Sequence, residues 1–197
     1  MSTEVKPFKL VVLISGEGSN LKAIIDAIAA KSLHAHIALV ISHRATANGL
    51  NHARNANIPF IILRPKKGQT RAQYDQKLID EIMPLQVDLI ILAGFMRILS
   101  SEFIQKFKGK TINIHPSLLP QYKGLDTHQR VIDADEKFHG ASVHYVTEDL
   151  DAGKIILQSR IQILAEDTAT SLKQRIHQEE HIIYPRAIEW LRTQANR

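Results

Sequence analysis

Phe8-Lys9-Leu10-Val11-Val12-Leu13-Ile14, running into Ser15-Gly16-Glu17-Gly18-Ser19-Asn20 and then Leu21 to Ala30, is the stretch from which the fold can be read. Leu10 to Ile14 is apolar without interruption and rich in branched side chains, as expected of a strand buried on both faces. Glycines at 16 and 18 permit a tight turn. The alanine- and isoleucine-rich run from Leu21 to Ala30 then reads as a helix. A strand that passes through a glycine turn into a helix opens an α/β sheet.

Outward from there the alternation repeats. Strands are expected at Ile37–Ser42, Pro59–Leu63 and Val87–Ala93, with helices at Thr46–Asn55 and from Thr70 to about Met83. Tyr74, Leu78 and Ile82 recur every fourth residue on one face of the last of these. Strand–helix alternation of this kind implies a parallel sheet with right-handed crossovers and helices on both faces. The second half is less regular: a short helix at Ser100–Phe107, a strand at Thr111–His115, a loop at Gln121–Thr127 and a short helix ending near Ala134. Ala141–Thr147 alternates, with Ser142, His144 and Val146 on one face. Ile155–Ile163 is a long strand, and a final helix starts at Asp167 or Thr168, kinked at Pro185. Its buried stripe is Leu172, Ile176, Ile183, Ala187 and Leu191. The expected fold is a single-domain, Rossmann-like α/β sheet spanning 1–197, parallel in its N-terminal half and mixed in its C-terminal half.

Composition narrows the classes of function. The chain has 197 residues, 44% hydrophobic and 23% charged, which suits one well-buried core. It has no cysteine. That removes disulfides, thiolate metal sites and cysteine nucleophiles, and accords with a reducing cytoplasm. No apolar run approaches membrane-spanning length. The formal charge is +5, but the densest basic cluster is only Arg64-Pro65-Lys66-Lys67. Nucleic-acid readers concentrate charge in a stripe, so small anionic substrates are the better match.

Several groups could carry chemistry. In Thr111-Ile112-Asn113-Ile114-His115-Pro116, period-two alternation puts Asn113 and His115 on one face. Pro116 ends the ladder there, and the carboxyl ends of strands are where open α/β sheets bind ligands. Gly16-Glu17-Gly18-Ser19-Asn20 opens a helix, so free N–H groups and a positive dipole end could hold an anion; a plain tight turn fits equally well. The pattern is neither a Walker loop nor a complete dinucleotide fingerprint, and suits a phosphomonoester better. Leu92-Ala93-Gly94-Phe95-Met96-Arg97-Ile98-Leu99 offers apolar side chains with open main chain, although core packing beside a loop explains it on its own. Asp151, before Gly153, is an ordinary turn residue or a carboxylate partner for an imidazole. His144 reads as a satisfied core histidine.

Taken together, SGEGSNL, LAGFMRILS, NIHPSLLP, HGASVHYV and LDAGKIILQ resemble, in order, the glycinamide ribonucleotide (phosphoribosylglycinamide) formyltransferases of the folate-dependent formyltransferase family. The similarity runs from about Lys9 to Leu191. It implies formyl transfer from 10-formyltetrahydrofolate to the amine of glycinamide ribonucleotide in purine synthesis. Implied catalytic residues are Asn113, His115 and Asp151. Gly18, Ser19, Asn20 and Glu180 would bind the ribonucleotide. Arg71, Met96, Arg97, Ile98, Leu99, Asn113 and Thr147 would bind the folate. The implied partners are small molecules, with no metal, no nucleic acid and no membrane; a homodimer is among the assemblies the family implies. This chain departs from the family patterns at Glu17, which must turn away from a phosphate, and at Asp126 and Ala141.

In the implied mechanism Asn113 and His115 donate to the oxygen of a tetrahedral intermediate and Asp151 holds His115. A proton moves from the attacking amine to the leaving nitrogen through His115 or a water. Two other readings compete. One is a 10-formyltetrahydrofolate hydrolase, which would have no need of the anion turn. The other is a non-catalytic folate or nucleotide-binding module, which would not need Asn113, His115 and Asp151 together.

Overall fold

The computed structural model describes residues 7–195. Its strands are β1 (Phe8–Ile14), β2 (Ala35–Ser42), β3 (Phe60–Ile62), β4 (Leu89–Leu92), β5 (Thr111–His115), β6 (Phe138–Tyr145) and β7 (Ile155–Gln162). They form one seven-stranded sheet in the order β3-β2-β1-β4-β5-β6-β7. The β3 to β5 portion is parallel, whereas β6 and β7 are antiparallel. The chain first moves outward from β1 to β3, then crosses back to lay β4 on the other side of β1. A strand order that reverses in this way opens a crevice outside the carboxyl ends of the strands. The turns after β1 and β4 flank that crevice, and β5 ends beside them.

Six helices cover the two faces: α1 (Ser19–Ala29), α2 (Gly49–Asn55), α3 (Arg71–Ile82), α4 (Ser101–Lys106), α5 (Thr127–Asp133) and α6 (Ala169–Ala195). Alternation along β1 sorts them. Leu10, Val12 and Ile14 join the core under α1, α2, α5 and α6, while Val11 and Leu13 join the core under α3 and α4. Ile112 and Ile114 of β5 enter the first core, so Asn113 and His115 face the α3/α4 side. The Tyr184 hydroxyl of α6, fully buried, donates to the carbonyls of Leu92 at 3.0 Å and Ile112 at 3.3 Å. It ties α6 to β4 and β5 close to the crevice.

The sheet is parallel and then mixed, as expected, but several element ends differ from the sequence reading. Thr70 caps α3 rather than opening it: its hydroxyl accepts the Gln73 N–H and the Gln73 side chain accepts the Thr70 N–H. Helix α2 begins at Gly49, not Thr46: the Gly49 N–H goes to the Gly16 carbonyl at 3.0 Å rather than into a helix, and Gly49 packs on Gly18, where a Cβ would lie 2.5 Å from the Gly49 Cα. Strand β6 begins three residues early; Gly140 hides this from the pattern but is needed, since a Cβ there would meet the Ser159 carbonyl at 2.0 Å. Helix α6 starts at Ala169 and continues as one helix through Pro185. The five expected stripe residues of α6 are all buried, so packing holds the helix across the hydrogen bond that Pro185 cannot make. Among the described residues no helix is long and apolar enough to cross a membrane.

Candidate active site

Antiparallel pairing of β5 with β6 sets Asn113 opposite His144 and His115 opposite Ser142. Residues directly opposite on one face touch, so four polar side chains form a square at the strand end. Ser142 is tied to the turn after His115, donating to the Ser117 carbonyl at 2.6 Å and accepting the Leu119 N–H at 3.1 Å, and it also accepts the Gln158 amide of β7 at 2.8 Å. His144 Nδ1–H donates to its neighbour's carbonyl, Tyr145, at 2.9 Å. Its Nε2 is therefore the acceptor for the Asn113 amide, 3.3 Å away. Burial pushes the His144 imidazole down, outweighing the raising effects of the Tyr145 bond and Asp151. His144 is neutral, and its 3.7 Å approach to Asp151 is a polar contact rather than an ion pair.

Asp151 comes from the loop between β6 and β7, in a left-handed conformation with φ 47°. Such a backbone is uncommon for a non-glycine residue and concentrates at functional sites. Its Oδ2 lies 3.4 Å from His115 Nδ1 and accepts the Gly124 N–H at 3.0 Å. Both side chains are buried. The 3.4 Å separation exceeds an ordinary N–H···O distance, so the contact is an electrostatic one with room to tighten. His115 Nε2–H donates to the Tyr122 carbonyl at 2.9 Å. The 121–126 loop thus holds both members of the pair. Direct donation by His115 to a substrate oxygen, as expected from the sequence, requires that loop to surrender Nε2. Asn113, half-buried, retains a second amide hydrogen.

Across the crevice, Gly18 (φ 72°) ends the turn after β1, and α1 starts at Ser19 with no side-chain cap and no acidic residue in its first turn. The first N–H groups of a helix have no intrahelical partner. Uncapped, they are open to an anion. Glu17 is exposed, as expected, and turned toward Asn48, whose Nδ2 lies 3.1 and 3.0 Å from its two oxygens. Asn20 Nδ2–H donates to Glu180 Oε2 at 2.9 Å, while Asn20 Oδ1 is buried without a partner. Burial drives the Glu180 carboxyl up to about 7, against the lowering effects of the Asn20 bond and Lys173.

The segment after β4 is anchored at both ends. Met96 N–H donates to Ser15 Oγ at 2.8 Å, and Ser15 Oγ pairs with His43 Nδ1 at 3.1 Å. At the far end the buried Asp75 carboxylate accepts the Ser100 N–H. Between them Arg97 stacks on the Tyr74 ring, 4.2 Å to its centroid, while Met96 and Ile98 are 67% and 58% exposed. Exposed apolar side chains over a fixed main chain suit a flat heteroaromatic ligand.

Most of the sequence-derived set lies at the carboxyl ends of β1, β4 and β5. Asn113, His115 and Asp151 converge; Gly18, Ser19, Asn20 and Glu180 gather at the α1 end; Met96 to Leu99 border the β4 end. Arg71 is exposed at the start of α3 and forms no hydrogen bond to that segment, and Thr147 is exposed, its hydroxyl donating to the Asp149 carbonyl. Ala141 is in the core, and Asp126 precedes α5 with φ 56°. The sequence reading of His144 as a satisfied core histidine holds, for it is buried with both ring nitrogens paired, but its contact with Asn113 was not foreseen, nor were the roles of Ser142, Ser15 and Asp75. The Ser142/His144 alternation was the available signal, since an antiparallel neighbour to β5 would place these two against Asn113 and His115. Asp75 had none: it sits amid α3's polar residues and is buried only by the distant segment between β4 and α4.

A doubly wound α/β sheet with an uncapped helix start and a carboxylate–imidazole–amide cluster at the carboxyl ends of its strands is a framework that suits a group-transfer enzyme. The chain belongs to the formyl transferase family, whose sequence model matches residues 8–188. It is 46% identical to the phosphoribosylglycinamide formyltransferase of Haemophilus influenzae over 92% of this chain and 86% of that protein. The enzyme of the same name from Escherichia coli is 45% identical over 92% of this chain and 85% of its own. Among solved structures, phosphoribosylglycinamide formyltransferase from Coxiella burnetii, in complex with CHES, superimposes with a TM-score of 0.89. It is 50% identical over 94% of this chain and 87% of that one.

Proposed function

We propose that this chain transfers a formyl group from 10-formyltetrahydrofolate to the amine of glycinamide ribonucleotide, as a cytoplasmic step of purine synthesis. The observation that carries the reading is the approach of Asp151 to His115, beside Asn113, across one crevice from an uncapped helix end. The ribonucleotide's phosphate docks on the N–H groups at 18–20, with Glu180 and Asn20 facing its sugar. The folate lies along Met96 to Leu99, with Arg71 and Thr147 at the rim.

The neutral amine attacks the formyl carbon, and negative charge develops on the formyl oxygen. The Asn113 amide donates to that oxygen, which is strongest where the donor is already fixed. His144 fixes it. Asp151 stabilises positive charge on His115 as the amine's proton passes, through His115 or a water it holds, to the departing folate nitrogen. Movement of the 121–126 loop frees Nε2 for this.

The test is to incubate the purified protein with 10-formyltetrahydrofolate and glycinamide ribonucleotide. Formylated ribonucleotide and tetrahydrofolate should appear in equal amounts. Formate released without need of the ribonucleotide would make the chain a hydrolase, and binding of folate with no turnover would make it a silent module; either result overturns the proposal.

A further inference from the structure

Glu17 puts a carboxylate inside the turn that the proposed function assigns to a phosphate. It lies between Gly16 and Gly18, so neither chain neighbour has a side chain that limits where its carboxylate points. What it meets is Asn48, the residue immediately before α2. Asn is among the best N-capping residues, because its side chain accepts N–H groups of the first turn. Asn48 makes no such bond. Its amide instead straddles both Glu17 oxygens, at 3.1 and 3.0 Å. Two further contacts hold α2 against the turn: Gly49 N–H donates to the Gly16 carbonyl at 3.0 Å, and Gly18 has space only because residue 49 is also glycine.

We propose that Asn48 is a positioning residue for the phosphate site, latching the Glu17 carboxylate outward so that it does not repel the ribonucleotide's phosphate. This rests on the reading that the phosphate docks at 18–20. Both side chains are exposed, so water and salt damp the effect. A carboxylate released to within about 8 Å of a dianion in water shifts affinity by roughly fivefold.

The experiment compares the intact enzyme with Asn48→Ala, Glu17→Gln and the double variant, measuring KM for each substrate at low and high salt. Asn48→Ala should raise KM for the ribonucleotide roughly fivefold at low ionic strength and less at high. The folate KM and kcat should stay put, and adding Glu17→Gln should restore the ribonucleotide KM. If Asn48→Ala leaves that KM unchanged, or the double variant is as poor as Asn48→Ala, the latch is refuted; a purely structural role for Asn48 gives the second result. Ser19→Asp separates the two levels, since a charge at the helix start repels a phosphate yet suits the helix. Ser19→Asp impaired with Asn48→Ala normal removes the latch alone. If both are normal, the phosphate lies elsewhere and both readings fall.

Discussion

The two sides of the crevice are made of different material. At the β1–α1 turn the candidate donors are main-chain N–H groups of consecutive residues, fixed by a glycine at φ 72° and by the helix itself. At the β5 end the candidate groups are side chains: Asn113 and His115 of β5, His144 of β6, and Asp151 of the loop after it. Even their restraints are imported, from the Tyr122 carbonyl and the Gly124 N–H. A site made of backbone should tolerate loss of any one side chain, because the donors remain. A site made of interlocked side chains should not, because each one orients another.

Replacing Asp151 with Asn tests the second half of that contrast most severely. The variant keeps the shape and loses the charge facing His115. Turnover should fall by roughly 10²- to 10⁴-fold. Binding of either substrate should change far less, because the lost interaction matters as charge develops. Near-normal turnover would return Asp151 to the status of a turn residue.

On the α1 side, Glu180 is a buried carboxyl bonded to the turn through Asn20. Its carboxyl, ordinarily at 4.5, is raised to about 7, chiefly by burial. Below pH 4.5 both folded and unfolded chains hold the proton. Between pH 4.5 and about 7 the unfolded chain loses it and the folded one keeps it, so this group's contribution to stability declines as pH rises and levels off above 7. The decline amounts to about 3 kcal/mol at most. Urea unfolding of Glu180→Gln should therefore show a gain over the parent at pH 8 that shrinks toward pH 4.5. A constant difference across that range would mean the carboxyl is not perturbed.

His144 sharpens the comparison at intermediate cost. In His144→Phe the ring volume remains and the acceptor for Asn113 is gone. An amide free to rotate loses its aim, and kcat should drop roughly 10- to 10²-fold. The KM for the ribonucleotide should hold, since its anchor lies on the other side of β4. A loss confined to KM would place His144 outside the reacting centre.

The same contrast explains what could be read from the sequence. The β1–α1 turn is contiguous, so residues 8–20 announce the strand, the glycine turn and the helix start, while leaving an anion site and a plain tight turn equally matched. The Thr111–His115 strand was legible to the residue, because alternating isoleucines leave Asn113 and His115 on one side. His144 was not, because its role depends on β6 running antiparallel in one particular register, and a single-residue slip would turn it into the core. Tyr122 and Gly124 act through main-chain atoms, which every residue has, so no side-chain pattern could mark them. Asp75 looks like a surface carboxylate of an amphipathic helix until the segment after β4 closes over it.

The smallest effect belongs to Ser19, and its smallness is the point. Ser19 stands at the first position of α1, half-exposed, and its hydroxyl bonds to nothing among the described residues. If the phosphate is held by main-chain N–H groups, Ser19→Ala removes one auxiliary donor and leaves the rest of the cradle intact. Water can replace a half-exposed hydroxyl at little cost, and alanine favours the helix. The ribonucleotide KM should rise by no more than about fivefold, with kcat and the folate KM unchanged, as read by initial rates at varied ribonucleotide. A rise of roughly 10²-fold would equal the loss of a charged hydrogen bond with no substitute. The turn would then be a side-chain site like its counterpart across the crevice, and the contrast between the two would fail.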